Sequence, residues 1–201
     1  KSHQPFHWLA EFYQIIKGNG GFDVIIGNPP YVTFTDASLK YNVRQYSTYN
    51  TKNLFALCGE RFTSLVCNNA SIGYIIPLSA MSIDGFESLQ NIIYSNCHSW
   101  NSYYSGDRNP SELFTGVKIR AGIYISRHQK GNGRKYVGRY IKYSAAERGV
   151  LFSKINYVEI KDYISAPKVS TTIGYSILQK IRRMNTTLAN KFIPEKIAFP
   201  S

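Results

Sequence analysis

Gly21-Phe22-Asp23-Val24-Ile25-Ile26-Gly27-Asn28-Pro29-Pro30-Tyr31 is the stretch from which the fold is read. A short apolar, β-branched run bounded by glycines, Phe22 to Gly27, predicts a buried parallel strand. Two consecutive prolines cannot donate to a sheet ladder, so the strand must stop at Asn28 and continue as a stiff loop. Upstream, Gly18-Asn19-Gly20-Gly21 is a strong turn cluster. Downstream, the spacing of Leu54, Phe55, Leu57, Cys58, Phe62, Leu65 and Val66 predicts an amphipathic helix over about 52–67. Cys67 to Ser71 reads as its polar exit. Ile72 to Pro77 then predicts a second buried strand, and Ser82 to Asn96 a second helix with Asp84 near its start. Strand, helix, strand, helix is the pattern of a parallel α/β sheet.

Farther along, the period changes. Trp100 to Ser105 and Lys118 to Arg127 alternate nearly every second residue and predict a terminal antiparallel strand pair. From Gln129 to Lys135 the composition turns to glycine, asparagine and base, which marks a boundary between 1–128 and 129–201. Beyond it a strand at 136–143, a helix near 145–155 and another near 172–184 are expected. The fold class expected is therefore α/β with a small mixed α/β region after the sheet.

Composition narrows the function classes. Apolar residues make up 43% of the chain, enough for a packed core. No apolar run reaches the length of a membrane span and no leader-like segment opens the sequence, so a soluble, cytoplasmic protein is expected. The chain opens on Lys1, as an excised fragment would. Cys58, Cys67 and Cys97 have no C-x-x-C spacing, so no metal site is expected, and Cys58 and Cys67 read as buried reduced thiols. Twenty-four Lys and Arg against twelve Asp and Glu give a net charge of +12. Such an excess suits a polyanionic partner, because each neutralised phosphate releases counterions; a solvated basic surface is the plain alternative.

The chemistry concentrates at Asn28-Pro29-Pro30-Tyr31. The lone pair of an aromatic exocyclic amine is delocalised into its ring, which makes it a poor nucleophile. A side-chain amide oxygen and a main-chain carbonyl that accept hydrogen bonds from the amine's two N–H groups localise that pair on nitrogen and aim it. Asn28 offers the amide, the prolines hold a carbonyl on a backbone that cannot flex, and Tyr31 offers a flat face for a base swung out of a duplex. The alternative is a Pro-Pro turn capped by asparagine.

Residues 21–32 resemble catalytic motif IV of the amino-methylating methyltransferases, and most closely the adenine-specific DNA methyltransferases of type II and type IIG restriction–modification systems. Asn53 to Arg61, Gly73 to Ser79 and Glu112 to Arg120 resemble that family's next helix, strand and late loop in the same order. The resemblance covers roughly residues 6–127. It implies the second half of a Rossmann-like methyltransferase sheet, methyl transfer from S-adenosylmethionine to adenine in double-stranded DNA, and base flipping. It assigns Asn28, Pro29, Pro30 and Tyr31 to the target amine and base, and Phe114 to a second stacking contact; Phe114 reads equally as a loop hydrophobe under the sheet.

In that family order the main cofactor pocket lies upstream of the catalytic loop. Only about two dozen residues precede Asn28, too few for the strands it needs. The expectation is a fragment inactive alone, whose partners are the missing N-terminal part of the polypeptide, DNA, and a second copy pairing at an open edge of the first strand. Cys58 stands where the family often places an aromatic against the cofactor. Lys135, Arg139, Lys142, Arg182 and Arg183 are the candidate DNA contacts, with a solvated basic face as the alternative for the last two. Glu60 and Arg61 read equally as ordinary helix charges. Two other functions stay open: methyl transfer to protein glutamine or RNA, and a non-catalytic DNA-binding module on a degenerate scaffold.

Overall fold

The structure, a computed structural model, describes residues 7–39, 42–106, 118–129, 131, 133–161 and 165–184. A short helix α1 (Trp8–Glu11) and a π-helical turn (Gln14–Gly18) lead into β1 (Phe22–Gly27). Then follow α2 (Leu54–Leu65), β2 (Val66–Pro77), α3 (Ser79–Ser82), α4 (Glu87–Ile93), β3 (Cys97–Tyr104), β4 (Ala121–His128), β5 (Lys135–Ile141), β6 (Val158–Ile160) and α5 (Thr172–Arg183). The six strands form one sheet in the order β1-β2-β4-β3-β5-β6. β1 pairs parallel with β2, and β3 with β5, while β4 is antiparallel to both β2 and β3. Strands β1, β2, β3 and β5 therefore all run the same way, and the loops that follow them leave from one end of the sheet.

The expected antiparallel pair is β3 and β4, but it is not terminal. β5 and β6 continue the same sheet past residue 129, with β6 antiparallel to β5. The strand expected to be buried, β1, is the end strand, and Ile26 is 82% exposed. Its β-branched run reads as buried because sequence shows an apolar strand without showing what lies on each of its sides.

Three other expectations are corrected. Residues 67–71 belong to β2 instead of a loop: Phe22 pairs with Val66 and Val24 with Ser71, so the intervening residues of β2 bulge, with Asn69 at a φ of 66°. Asparagine tolerates that left-handed backbone, which is why a polar run can still sit in a strand. The helix expected over 82–96 is shortened to α4: α3 ends at Ser82, Ile83 is extended, and a 3₁₀ turn (Asp84–Phe86) leads into α4. The helix expected near 145–155 is two 3₁₀ turns, Ala145–Val150 and Phe152–Lys154, the first closed by a Ser144–Glu147 capping box. Cys97 is buried, but Cys58 and Cys67 are only partly so.

The core lies between the sheet and α2, α3 and α4. Ile72, Tyr74 and Ile76 of β2 and Tyr124 of β4 meet Phe55 and Ala56 of α2 and Leu89 and Ile93 of α4. The isoleucine, leucine and phenylalanine side chains among them each contribute about 1.5–3 kcal/mol relative to exposure. Gln90 is buried in this layer, where its amide donates to the carbonyls of Ala80 and Ile83 and ties α4 to α3. The other face of the sheet is covered unevenly. Over β3 and β5, Leu151 packs on Tyr104 and Ile141. Over β1, β2 and the near part of β4, the face is open.

Candidate functional site

Because β1 runs into Asn28 at the sheet's loop end, the Asn-Pro-Pro-Tyr segment begins where the ladder stops. Asn28 is exposed and, among the described residues, its side chain has no hydrogen-bond partner. Pro29 is buried, so the backbone on the far side of the amide is held by packing. Tyr31 turns back onto the sheet. Its hydroxyl donates to the Ile75 carbonyl at 3.0 Å, and its ring meets Phe55 edge-on with centroids 6.4 Å apart. Burial pushes the Tyr31 phenol up to about 12. The loop is thus fixed at both ends, by β1 and by Tyr31, with a free amide between them.

A strap leads from this loop back to α2. Val32 accepts from the Leu54 amide at 2.9 Å, the Phe34 amide donates to Lys52 at 2.9 Å, and Thr33 forms a bridge with Asn53. At its outer end Asp36 accepts from Lys52 at 2.7 Å and Tyr49 at 2.6 Å; these bonds hold its carboxyl down to about 2. Glu60, on α2, accepts from the Ser47 amide at 3.0 Å, the Thr48 amide at 2.9 Å and the Thr48 hydroxyl at 2.8 Å. From sequence Glu60 reads equally as an ordinary helix charge. Its partners lie a dozen residues upstream in an irregular segment, and no local spacing announces them.

On the open face an apolar cavity of about 560 Å³ lies beside Asn28. Register puts its walls in one surface: Ile26 lies across from Gly73 and Gly73 across from Ile125, while Ile75 pairs with Ile123. Phe152 closes the far rim. The fit of S-adenosylmethionine to this cavity is poor. That group brings an amino acid end and a ribose diol, whereas the lining is apolar apart from Asn28 and Ser71, with no carboxylate for the diol. Cys58 does not line the cavity, and burial pushes its thiol up. Among the described residues no cluster of His, Cys, Asp or Glu could hold a metal ion.

Phe114 lies outside the described residues. Of the candidate DNA contacts, Arg139 and Lys142 are exposed on and just after β5, whose exit shares that end. Lys135 points elsewhere: its ammonium sits 3.8 Å from the Tyr94 ring centroid, and burial lowers it to about 8. Arg182 and Arg183 are exposed in the last turn of α5. No described helix is long and apolar enough to cross a membrane.

Comparison with known proteins matches residues 1–109 to the Eco57I restriction-modification methylase family. A Methanocaldococcus jannaschii protein, named as a type II restriction enzyme and methyltransferase, is 38% identical over 122 residues. That alignment covers 61% of this chain and only 10% of the relative. Among solved structures, the DrdV–DNA complex is similar at a TM-score of 0.55 and 15% identity, over 74% of this chain and 18% of that one. A nuclease-deletion mutant of the type ISP restriction-modification enzyme LlaGI, bound to a DNA substrate mimic, matches at 0.55 and 15%, over 71% and 15%. These two likenesses confirm the α/β sheet. The matched region takes in β1, the Asn-Pro-Pro-Tyr loop, α2 and β2 together, and the chain belongs to the Eco57I restriction-modification methylase family.

Proposed function

We propose that this chain supplies the target-amine half of an enzyme that methylates the exocyclic amine of adenine in double-stranded DNA, within a restriction–modification system. The observation that carries this reading is the exposed, unpartnered amide of Asn28 on a loop locked by Pro29 and Tyr31. Asn28 accepts a hydrogen bond from one N–H of the amine and a carbonyl of the Pro-Pro segment accepts one from the other, so the nitrogen lone pair is held off the ring. Tyr31, and Phe114 from the late loop, stack on a base that has left the duplex. S-adenosylmethionine is the methyl donor in this proposal, held by residues other than those lining the open cavity. Residues 1–128 would form the catalytic-loop part and 129–201 the start of target recognition, with Arg139, Lys142, Arg182 and Arg183 near phosphates and Lys135 in a packing role.

DNA is favoured over RNA or protein glutamine by the net charge of +12 and by the two fold neighbours, which are complexes with DNA or its mimic. The test is transfer of a tritiated methyl group by the intact enzyme to duplex DNA, RNA and protein. Label should enter adenine in the duplex, and Asn28→Ala should lower incorporation by about 100-fold or more. Label in RNA or in glutamine would replace the substrate. Undiminished transfer by Asn28→Ala would leave a scaffold whose loop has no part in chemistry.

A further inference from the structure

Among its described residues the strap between the catalytic loop and α2 is mostly irregular, yet its two ends are bonded closely. At one end, residues 32–34 are clamped to 52–54 directly after Tyr31. At the other, the carboxylate of Glu60 gathers three donors from Ser47 and Thr48, and Thr48 is fully buried. At the clamped end Lys52 holds a φ of 53°, a left-handed backbone rare for a lysine. Such a conformation persists only where the surroundings over-determine it.

We propose that Glu60 is a positioning residue, whose carboxylate fixes the 47–53 segment, and through its clamp on 32–34 sets the aim of the Asn28–Tyr31 loop. A carboxylate suits the task because two parallel amides and a hydroxyl all donate, and only an acceptor with two oxygens and no hydrogens meets all three. α2 is a rigid reference for this role. Its Phe55 and Ala56 are in the core, and Phe55 also abuts the Tyr31 ring. One helix thus bears on the loop twice, by Phe55 directly and by Glu60 through the strap. The kinetic consequence rests on the methyl transfer proposed above; the structural one does not.

The experiment uses Glu60→Gln and Glu60→Ala in the intact enzyme, with Arg61→Gln as a control on the same helix. Amide hydrogen exchange is expected to speed up about 10-fold at Phe34 and Leu54 in Glu60→Ala, with β2 amides unchanged. Methyl transfer should show kcat down about 10- to 100-fold with KM for DNA nearly constant, the mark of lost aim instead of lost binding. Glu60→Gln keeps one acceptor oxygen and should fall between, while Arg61→Gln should match the parent. Unchanged exchange at Phe34 and Leu54 would overturn the proposal. So would faster exchange with an unchanged kcat, because the loop would then hold its aim without the strap. An unaltered enzyme with no methyl transfer would sink the functional reading instead, leaving the exchange data to decide the strap.

Discussion

At the scale of the residue, Tyr31 combines two properties that pull apart under pH. Its ring is offered to a base in the proposed chemistry, while its hydroxyl is committed to the Ile75 carbonyl at 3.0 Å. Tyr31→Phe keeps the ring and removes the donor, so it should cost about 0.5–1.5 kcal/mol at neutral pH while sparing most of any stacking. The phenol titrates near 10 when unfolded and is raised by burial to about 12 in the fold. A folded value above the unfolded one means the stabilisation is fully present below pH 10 and is lost as pH climbs toward 12. The stability gap between parent and Tyr31→Phe should therefore shrink across that window, measured by urea unfolding at a series of alkaline pH values. Other buried tyrosines, Tyr74 and Tyr124 among them, shift in the same direction but are common to both proteins and cancel in the difference. A gap that stays constant to pH 12 would show that burial does not hold the Tyr31 phenol above its ordinary range. Asn28 and Tyr31 were legible as a pair because consecutive prolines after an apolar run leave few structures open. The Tyr31 bond to Ile75 was not legible, since it spans 44 residues of chain.

At the scale of the element, β1 depends on the turn that launches it. Gly21 has a φ of 137°, and a Cβ built there would lie 2.6 Å from the Leu65 carbonyl oxygen and 2.7 Å from the Cys67 nitrogen. Those are backbone atoms at the junction of α2 and β2, which cannot swing aside as a side-chain tip can. Gly21→Ala should therefore destabilise by about 1–3 kcal/mol, read as a lowered urea midpoint, whereas Gly20→Ala meets nothing within 4 Å and should lose only the cost of its own φ of 76°. Equal midpoints for the two variants would mean that β1 is not seated against that junction. The same junction shows where sequence reading stops. β1, α2 and the heart of β2 were legible because their apolar spacing is local. The start of β2 was not, because Cys67-Asn68-Asn69 has loop composition and is kept in the sheet only by pairing with β1. The helices expected at 82–96 and 145–155 have helical spacing but are cut by Ile83 in extended backbone and by 3₁₀ turns around Gly149. There, the Gln90 amide's hydrogen bonds to the Ala80 and Ile83 carbonyls and the packing of Leu151 on Tyr104 outweigh helix propensity, which is a weak prior in a packed context.

At the scale of the whole molecule, the sheet ends in two edge strands, β1 and β6. Among the described residues no strand pairs with the outer edge of β1, and the face beside it presents Val24, Ile26 and Ile125, all more than 40% exposed. An open edge next to an apolar face is a template for another strand and whatever packs over it. The chain spans only a tenth of its curated relative, so in a longer enzyme other segments can meet this surface. On its own, the chain is expected to pair with a second copy through β1. Its charge of +12 opposes that step, since two such chains repel, and salt screens the repulsion over about 8–10 Å at ordinary ionic strength. Self-association should therefore strengthen with added salt, the reverse of what an ion-paired interface would do. Ile26→Lys places a charge on the open face beside the edge and should return the chain to monomer at every salt concentration, with its unfolding midpoint changed by no more than about 0.5 kcal/mol because the side chain it replaces is already solvated. Sedimentation velocity across a salt series reads both effects. A parent chain that stays monomeric in high salt would refute pairing at β1. Dimers that survive Ile26→Lys unchanged would move the contact elsewhere, and the exposed stripe of Ile173, Ile177 and Ile181 on α5 is then the surface to mutate.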